Sequence, residues 1–552
     1  MTTGRDILFD VLVSEGVHHC FGNPGTTELP FIDELAVRAG ISYVLALQEN
    51  VAVAMADGYA QASRRPAFVN LHTSAGLGGG MGNLTNAAAN HTPLVVTAGQ
   101  QDRRHLVSEP ILAGDLVGLA RAATKWQHEV RHAGELGTIL RRAFLDCGRP
   151  PAGPVFVSIP MDVLDEETDT DAPPRSRLAG GAVGGSLDEL AELLTGPGSL
   201  AIVVGDEVAA AGPEAVASMV ALAEATGAPV FGTPLYSNLN FPSTHPLWKG
   251  MLGFTAAAIS EALGGFQRVF LAGGKAFLVY PWSPGPPLPA SVELLHLSAS
   301  AGEVGHHLPV RLGVVGDVGA TLAALVPLVA AVADQGGAFT ALAGVAQQDA
   351  DSARLAEAVT ERAATIPMEP LVAVHAVLEA VPTHAALVDE AITTGPYVRN
   401  LMRLEPPGSY YFCRGGGLGW GIPAALGVKL AQPGTPVVCV VGDGSALYTI
   451  QALWTAAHAG IPVVVVVVNN RSYAILKNNL AGMGGHAART GRFVGMDLDQ
   501  PPVDYVGLSR SLGVDADLIS KPDELTGAVV EGLASDRPLL LEVPIAAPGS
   551  LG

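Results

Sequence analysis

The sequence predicts an α/β protein of three domains, each built on a parallel sheet with helices on both faces. Short runs of Val and Leu alternate along the chain with longer Ala- and Leu-rich stretches of helical pattern. Strands that are buried on both faces give such continuous apolar runs, and helices connect strands that run parallel. A length of 552 residues suits about three domains of ordinary size.

The clearest of the predicted strands are apolar runs at residues 67–71, 93–97, 154–159, 200–204, 268–271, 437–441, 463–468 and 539–543. Two stretches interrupt the alternation, residues 166–186 and 334–352, and both are rich in Gly, Ala and Asp. Such composition is typical of linkers. The predicted domains are therefore residues 1–165, 187–333 and 353–552.

The charge balance argues against nucleic acid and anionic membranes as partners. The chain has 31 Lys and Arg against 52 Asp and Glu, which gives a formal net charge of −21. Surfaces that bind nucleic acid or acidic lipid need a basic footprint, which this composition does not predict. The longest nearly uncharged stretch, residues 318–333, is shorter than the ~18–20 apolar residues that cross a bilayer. It is interpreted as a core helix or a pair of helices.

The cysteines and the N-terminus both indicate a cytoplasmic protein. The chain has four cysteines, far apart and in no CxxC pattern: Cys20, Cys147, Cys413 and Cys439. This pattern favours buried thiols in a reducing compartment over a disulfide framework or a zinc cluster. Residues 1–6 lack the basic stretch and the apolar core of a signal peptide.

Two polar clusters in the third domain follow predicted strands that are successive in the chain. The strand at 437–441 leads into Gly442-Asp443-Gly444-Ser445, and the strand at 463–468 leads into Asn469-Asn470. Ligands of open α/β sheets bind at the carboxyl ends of the strands, so both clusters are expected to face one ligand. Asp443 between glycines brings a carboxylate and bare N–H groups to a helix start, which suits a phosphate and its cation. Asn470 and the backbone carbonyl of Ser472 add hard oxygen ligands of the kind that Mg²⁺ prefers.

Two side chains of the first domain are candidates for proton transfer. Glu49 follows a strand at 43–47 and opens a helix of Val, Ala and Met, so its carboxyl is predicted to lie in a poorly solvated crevice. Desolvation favours the neutral form of a carboxyl, which can hydrogen-bond a ring nitrogen. His72 ends the strand at 67–71 and precedes a small-residue loop predicted at 73–82. A solvated glutamate at a helix start and a structural histidine remain the alternatives.

The chain resembles the thiamine diphosphate-dependent decarboxylase superfamily of pyruvate decarboxylase and acetolactate synthase, and is most similar to benzoylformate decarboxylase. The resemblance begins with GDGS at 442–445, followed by Asn470, 27 residues after Asp443. It extends to further segments: FGNPGTTELP (21–30), LQE (47–49), DGYAQAS (57–63), NLHTSAG (70–76), TAGQQ (97–101), SYYFC (409–413) and GGLG (416–419). It covers nearly the whole length, and it implies three doubly wound domains: pyrimidine-binding, central and diphosphate-binding.

The resemblance implies a site for thiamine diphosphate and Mg²⁺ between the first domain of one chain and the third of another, hence a homodimer or homotetramer. It implies that Glu49 pairs with the aminopyrimidine ring of the cofactor and that His72 and Thr26 lie beside the substrate. It implies cofactor contacts from Thr393, Thr394, Gly416, Leu418, Gly442, Asp443, Gly444, Ser445, Asn470 and Tyr473. The implied metal ligands are Asp443, Asn470 and Ser472.

Some of these residues have plainer alternative roles. Thr26 stands where benzoylformate decarboxylases carry a serine, and it could instead cap the helix that begins near Pro30. Ile392 stands where a diphosphate-binding hydroxyl is expected, so Thr393 and Thr394 either act one place along or cap a helix. Leu418 resembles the bulky residue that imposes a V shape on the cofactor, but it could be an ordinary apolar loop residue.

One departure concerns the substrate. Benzoylformate decarboxylases have a second active-site histidine in the central domain, and the matching segment here, residues 277–285, has none. Pro281 and Trp282 lie there instead, while His306 and His307 belong to another loop. This departure weakens benzoylformate itself as the expected substrate.

The function implied by the resemblance is non-oxidative decarboxylation of a 2-oxo acid. A carboligase or lyase of the acetolactate synthase or 2-hydroxyacyl lyase type, with an aldehyde as acceptor, is the nearest alternative. A dinucleotide-binding oxidoreductase is a distant one, because residues 419–424 fit G-x-G-x-x-A and Asp443 ends the following strand. That alternative leaves Glu49 and Asn470 unexplained.

Overall fold

Three six-stranded sheets dominate the computed structural model, which describes residues 2–178, 181–332 and 337–546. Neighbouring strands are parallel in all three sheets, and helices lie between most successive strands, which confirms the predicted fold class. Residues 1, 179–180, 333–336 and 547–552, which belong to the predicted domains and linkers, lie outside the described residues.

The first unit has a sheet of order β3-β2-β4-β5-β7-β6, and β1 and β8 form a separate two-stranded antiparallel sheet. Its strands are β1 Thr2–Thr3, β2 His19–Gly22, β3 Ser42–Leu45, β4 Ala67–Leu71, β5 Leu94–Gln100, β6 Trp126–Glu129, β7 Val155–Pro160 and β8 Glu167–Thr168. Its helices are α1 Gly4–Glu15, α2 Leu29–Leu35, α3 Glu49–Ser63, α4 Thr73–Ala89, α5 Leu116–Ala120, α6 Ala133–Gly148 and α7 Met161–Asp165. The strand order reverses between β2 and β4, and Glu49 and His72 follow strands on either side of that reversal.

The second unit has a sheet of order β11-β10-β9-β12-β13-β14. Its strands are β9 Leu200–Val204, β10 Val230–Gly232, β11 Trp248–Met251, β12 Arg268–Ala272, β13 Glu293–Ser298 and β14 Leu312–Val315. Its helices are α8 Leu187–Thr195, α9 Glu207–Ala210, α10 Pro213–Thr226, α11 Ala256–Leu263 and α12 Val318–Val332. As predicted, α12 is a core helix, which buries Leu322, Leu325 and Val329.

The third unit has a sheet of order β16-β15-β17-β18-β20-β19. It follows the long helix α13 Gly337–Arg362, in which most of the predicted linker 334–352 lies. Its strands are β15 Ala386–Glu390, β16 Tyr410–Phe412, β17 Val437–Gly442, β18 Val464–Asn469, β19 Asp515–Leu518 and β20 Leu539–Pro544. Its helices are α14 Pro370–Ala380, α15 Gly395–Leu401, α16 Gly421–Ala431, α17 Asp443–Ala446, α18 Ala452–Ala459, α19 Ala474–Gly482, α20 His486–Thr490, α21 Tyr505–Ser511 and α22 Pro522–Ala534.

The first and third units share one hydrophobic cluster, because α3 packs directly against α16. Glycines let the two backbones approach each other. A Cβ added to Gly58 would lie 2.8 Å from Ala424 Cα, and one added to Gly427 would lie 2.7 Å from the backbone nitrogen of Tyr59. Burial of this apolar surface between the helices ties the helix that begins at Glu49 to the third unit.

The small-residue segment 73–82, predicted as a loop, is part of helix α4. Its five glycines, Gly76, Gly78, Gly79, Gly80 and Gly82, weaken helix propensity by up to ~1 kcal/mol each, which made a loop the natural expectation. Packing overrides that preference, since Leu77 and Leu84 are fully buried against the core. Among the helices of the described ranges, none combines the length and apolarity that a bilayer span requires.

Candidate active site

A cavity at the carboxyl ends of β17 and β18 brings together most of the residues predicted to hold a cofactor. Nine of the ten line it: Thr393, Thr394, Leu418, Gly442, Asp443, Gly444, Ser445, Asn470 and Tyr473. The predicted metal ligand Ser472 lines it as well. Gly416 is not part of the lining and lies in the loop before Leu418, with a φ of +74°.

Asp443 is the electrostatic centre of this cavity. The residue is 3% exposed, and its Oδ2 has no hydrogen-bond partner. Burial raises the pKa of Asp443 to about 6, and the backbone N–H groups of Gly444, Arg471 and Ser472 oppose that rise. A buried carboxylate oxygen without a partner is costly, and a bound cation would supply the missing interaction.

The two asparagines after β18 have different roles. Asn469 donates from Nδ2 to Glu542 Oε1 at 2.8 Å inside the sheet, so it is structural. Asn470 lines the cavity, and its Oδ1 accepts from the Ser472 nitrogen at 3.0 Å and from the Ser472 hydroxyl at 3.1 Å. These bonds fold residues 470–472 into a turn that faces Asp443.

Hydroxyl groups from the end of β15 form another wall of the cavity. Thr394 is 1% exposed, and its Oγ1 has no hydrogen-bond partner although the residue stands at the N-cap position of α15. The alternative role of Thr394 as a helix cap is therefore wrong, because its side chain makes no capping bond. Thr393 and Ile392 line the same wall. The unpartnered hydroxyl and the unpartnered carboxylate together fit a phosphate with its metal ion.

Glu49 stands at the first turn of α3, and its carboxyl lies over a strip of glycines on α4. A Cβ added to Gly76 would lie 3.2 Å from Glu49 Oε1, and one added to Gly79 would lie 2.9 Å from Oε2. Gln48 caps α3 by accepting from the Val51 nitrogen at 3.3 Å, and it donates to the Gly79 carbonyl at 3.3 Å. The glycines thus make room for the carboxyl, which is half-buried.

His72 is held by a carboxylate that the sequence analysis missed. Its Nδ1 lies 2.8 Å from Oε2 of Glu28, a residue that is only 2% exposed. Glu28 also accepts from the Gly99 nitrogen at 2.9 Å and from the Thr27 hydroxyl at 2.7 Å. The role of Glu28 could not be predicted from the sequence, because its partners His72 and Gly99 are distant in the chain.

Thr27, the neighbour of the predicted Thr26, contacts the histidine, with its Oγ1 3.1 Å from His72 Nδ1. Thr26 is exposed. It does not cap the helix near Pro30, because α2 has no side-chain capping bond. Its hydroxyl is therefore free of that structural role.

The dinucleotide alternative is wrong, because the N–H groups of the G-x-G-x-x-A turn are already occupied. The carboxylate of Glu390 accepts from Gly419 at 2.6 Å, from Trp420 at 3.1 Å and from Gly421 at 2.7 Å. A dinucleotide needs these groups free at the helix start for its phosphates. Glu390 is another residue that the sequence analysis missed.

The central-domain segment that lacks the expected histidine presents aromatic surface instead. Tyr280 is 66% exposed and Trp282 is 85% exposed. His306 and His307 are also exposed, with their ring centroids 4.4 Å apart. None of these four residues lines the cavity around Asp443.

Two clusters of predicted residues therefore exist in one chain. Asp443, Asn470, Leu418 and the threonines lie together at the third sheet, whereas Glu49, His72 and Thr26 lie at the carboxyl edge of the first sheet. The lining of the Asp443 cavity runs from residue 391 to residue 475 and includes no residue of the first unit.

Family models match three parts of the chain, all of the thiamine pyrophosphate enzymes. The N-terminal TPP binding domain matches residues 2–129, the central domain residues 187–325, and the C-terminal TPP binding domain residues 393–543. The chain is 36% identical to benzoylformate decarboxylase of Pseudomonas aeruginosa, over 99% of both chains.

Solved structures show the same similarity. The thiamine diphosphate-dependent 4-hydroxybenzoylformate decarboxylase of Rhodococcus jostii superposes with a TM-score of 0.86 at 32% identity, covering 99% of this chain and 100% of that chain. Benzoylformate decarboxylase of Polynucleobacter necessarius superposes with a TM-score of 0.87 at 29% identity, covering 99% of each chain.

Proposed function

The chain belongs to the family of thiamine pyrophosphate enzymes, and from this premise we propose that it is a magnesium-dependent, non-oxidative decarboxylase of a 2-oxo acid. The observation that carries the proposal is the cavity at β17 and β18, where Asp443 Oδ2 and Thr394 Oγ1 are buried without partners. A diphosphate and its Mg²⁺ would satisfy both atoms.

The third unit would hold the diphosphate end of thiamine diphosphate, which is another name for thiamine pyrophosphate. Thr393, Thr394, Ser445 and the backbone of residues 442–444 supply donors for phosphate oxygens. Asp443, the Asn470 amide and the Ser472 carbonyl supply oxygen ligands for Mg²⁺. In a chain with a net charge of −21, the ion also offsets repulsion between the diphosphate and the protein.

When bound, the cofactor supplies an electron sink for the electron pair that remains as CO₂ leaves. Glu49, whose carboxyl occupies the space that Gly76 and Gly79 leave open, would hydrogen-bond the pyrimidine ring. Glu28 orients the imidazole of His72 by holding its Nδ1, and we assign proton transfer near the substrate to Nε2. Thr26 offers a hydroxyl donor to the substrate carboxylate.

A second copy of the chain would complete the site, so the protein would act as a homodimer or a homotetramer. Support comes from the separation of the two clusters, since no first-unit residue lines the Asp443 cavity. In a dimer, Glu49, His72 and Thr26 of one copy would close the cavity of the other.

A reducing, cytoplasmic location is supported by the cysteines. All four are buried and unpaired: Cys20, Cys147, Cys413 and Cys439. Free buried thiols are the normal state of such residues inside the cell.

The relatives named above act on benzoylformate and 4-hydroxybenzoylformate, which makes aryl 2-oxo acids the first candidates here. Tyr280 and Trp282, in the segment without the expected histidine, argue for a different substrate or acceptor from that of the relatives. The missing proton donor also favours a carboligase as the second candidate, in which an acceptor aldehyde takes the place of the proton.

A panel of aromatic, branched and straight-chain 2-oxo acids tests the proposal, with CO₂ and aldehyde as readouts and an acceptor aldehyde added in parallel. Stripped protein is expected to regain activity only with both thiamine diphosphate and Mg²⁺, and Glu49→Gln to lose it. Ligation product without free aldehyde would favour the carboligase, and full activity of Glu49→Gln would contradict the mechanism.

A further inference from the structure

Three asparagines, two on helix α4 and one that follows its last residue, face the third unit and have no part in the function described so far. Asn83, Asn86 and Asn90 are spaced by three and four residues, which places them on one face of the helix. Asn83 is fully buried and Asn86 is 1% exposed. Buried amides need partners, and these find theirs in the loop that carries Leu418.

Asn86 forms two hydrogen bonds with a single backbone residue. Its Oδ1 accepts from the Gly417 nitrogen at 3.0 Å, and its Nδ2 donates to the Gly417 carbonyl at 2.9 Å. The same Nδ2 donates to Asn83 Oδ1 at 2.7 Å. The side-chain amide of Asn86 therefore pairs with the loop as a neighbouring strand would.

Asn83 holds the other side of Leu418. Its Nδ2 donates to the Gly419 carbonyl at 3.1 Å and to the Asn50 carbonyl at 3.0 Å. The residues before and after Leu418 are thus both bonded to α4, and the network ends on the residue that follows Glu49.

The loop fits against α4 only because it lacks side chains at the points of contact. A Cβ added to Gly415 would lie 2.7 Å from Asn86 Cα, and one added to Gly417 would lie 2.8 Å from Asn86 Oδ1. Glu390 holds the opposite side of the loop by accepting from the Gly419 nitrogen at 2.6 Å. With both flanks fixed, the side chain of Leu418 is directed into the Asp443 cavity, which it lines.

We propose that Asn86, supported by Asn83, is a positioning residue that sets the backbone at 417–419 and so the placement of Leu418 against the cofactor. The inference rests on the proposed function, because it assigns Leu418 to the cofactor site. It adds that the first unit shapes the cofactor site of its own chain through amide contacts.

The first test uses the protein without cofactor and compares Asn86→Ala with Thr85→Ala. Thr85 is the adjacent exposed residue, whose hydroxyl bonds only the Met81 carbonyl of its own helix turn among the contacts described, so it controls for a substitution in α4. Hydrogen exchange of a peptide spanning 414–421 is expected to speed up about tenfold in Asn86→Ala, in line with the loss of its bonds to Gly417. Unchanged exchange in that peptide would overturn the proposal.

The second test is a double-mutant cycle of Asn86→Ala with Leu418→Ala at saturating thiamine diphosphate and Mg²⁺. Each single variant is expected to lower kcat about tenfold. If Asn86 acts through Leu418, the double variant is no more than about twofold below Leu418→Ala. Multiplied losses, or a lower melting temperature with an unchanged kcat per folded site, would overturn the proposal.

The two tests separate this inference from the proposed function. If the wild-type protein fails to bind thiamine diphosphate, the proposed function fails, while the exchange experiment still decides whether Asn86 fixes the loop. Should Asn86→Ala not fold, Asn83→Ala undergoes both tests, because it removes the bond to Gly419 and leaves both bonds to Gly417.

Discussion

At the scale of single residues, the role proposed for His72 depends on its buried partner Glu28. Glu28 accepts four hydrogen bonds, from Gly25, Thr27, Gly99 and His72. Each fixes the carboxylate, and the carboxylate fixes the imidazole. Such a partner sets which ring nitrogen faces the reacting atoms.

The change Glu28→Gln tests this pair. A glutamine would turn an N–H₂ group toward donors and would remove the charge beside His72, so kcat is expected to fall about ten- to a hundredfold. Steady-state kinetics with the best 2-oxo acid of the panel measures the effect. Asp33→Asn on α2, whose side chain is 83% exposed, is the matched control and should retain full activity. A Glu28→Gln enzyme with wild-type kcat would remove Glu28 from the mechanism.

Glu390 gives the apo-protein a pH-dependent stability. Burial raises the pKa of Glu390 to about 7, the N–H groups of Gly421, Trp420 and Gly419 oppose the rise, and the neighbouring Asp389 adds to it. The unfolded chain loses this proton near pH 4.5, so between pH 4.5 and 7 the folded state holds more protons than the unfolded state. Stability therefore falls as the pH rises through this window, by about 3 kcal/mol at most from this group.

Thermal melting of the apo-protein between pH 4.5 and 8 measures this effect. Glu390→Gln is expected to melt lower than wild type at low pH, because glutamine cannot accept all three N–H groups, and to lose less stability as the pH rises. Glu405→Gln, at an exposed glutamate, should retain the wild-type slope. Parallel slopes for Glu390→Gln and wild type would contradict the assignment.

Site residues that lie in a distinctive local sequence pattern could be predicted. Site residues that are defined by contacts between distant parts of the chain could not. Asp443 and Asn470 follow Val-rich strands and sit beside glycines or a second asparagine, so the sequence alone points to them. Glu28 and Glu390 lie close to residues that were predicted as site residues, Thr26 and Thr393, but were not predicted themselves. Their hydrogen-bond partners belong to distant strands and loops. Their roles follow from tertiary structure alone.

At the scale of elements, most of the predicted strands are buried on both faces. The predicted run at 463–468 became β18, whose six residues are all buried. Two edge strands, β6 and β19, escaped prediction because one side meets solvent, whereas the edge strand β3 was predicted from residues 43–47. β6 reads Trp-Gln-His-Glu and β19 reads Asp-Ala-Asp-Leu, and neither is an apolar run.

Helix α4 was missed because its glycines lower helix propensity, although two of them, Gly76 and Gly79, leave room for the Glu49 carboxyl. Substitution at two neighbouring glycines separates these roles. Gly79→Ala would place a Cβ 2.9 Å from Glu49 Oε2, so the carboxyl must move and activity is expected to fall at least tenfold. Gly78→Ala meets nothing within 4 Å.

Gly78→Ala is therefore the matched control for Gly79→Ala. It should raise the free energy of unfolding by roughly 0.5–1 kcal/mol, because alanine favours the helix, and it should leave activity unchanged. Denaturant unfolding and steady-state kinetics of both variants provide the comparison. Equal activity in the two variants would mean that Gly79 does not position Glu49.

At the scale of the whole molecule, the three sheets differ in whether they carry candidate site residues. The first and third sheets carry the chemistry-bearing residues at their carboxyl edges, and α3 packed on α16 joins these two units within one chain. The second sheet contributes no residue to the Asp443 cavity. No residue of the first unit lines the Asp443 cavity of its own chain, so the Glu49 cluster is not part of that cavity.

Mixed oligomers test whether another copy covers that cavity. Glu49→Gln and Asp443→Asn are each expected to be inactive alone. A hybrid dimer can be purified through two different tags. One of its two active sites would carry both substitutions, and the other would pair an intact Glu49 with an intact Asp443. The hybrid is therefore expected to have about half of wild-type activity. Fluorescence-monitored cofactor titration should likewise detect one functional site per hybrid dimer. If each chain instead completed its own site, every site in the hybrid would contain one substitution, and the hybrid would be as inactive as either parent.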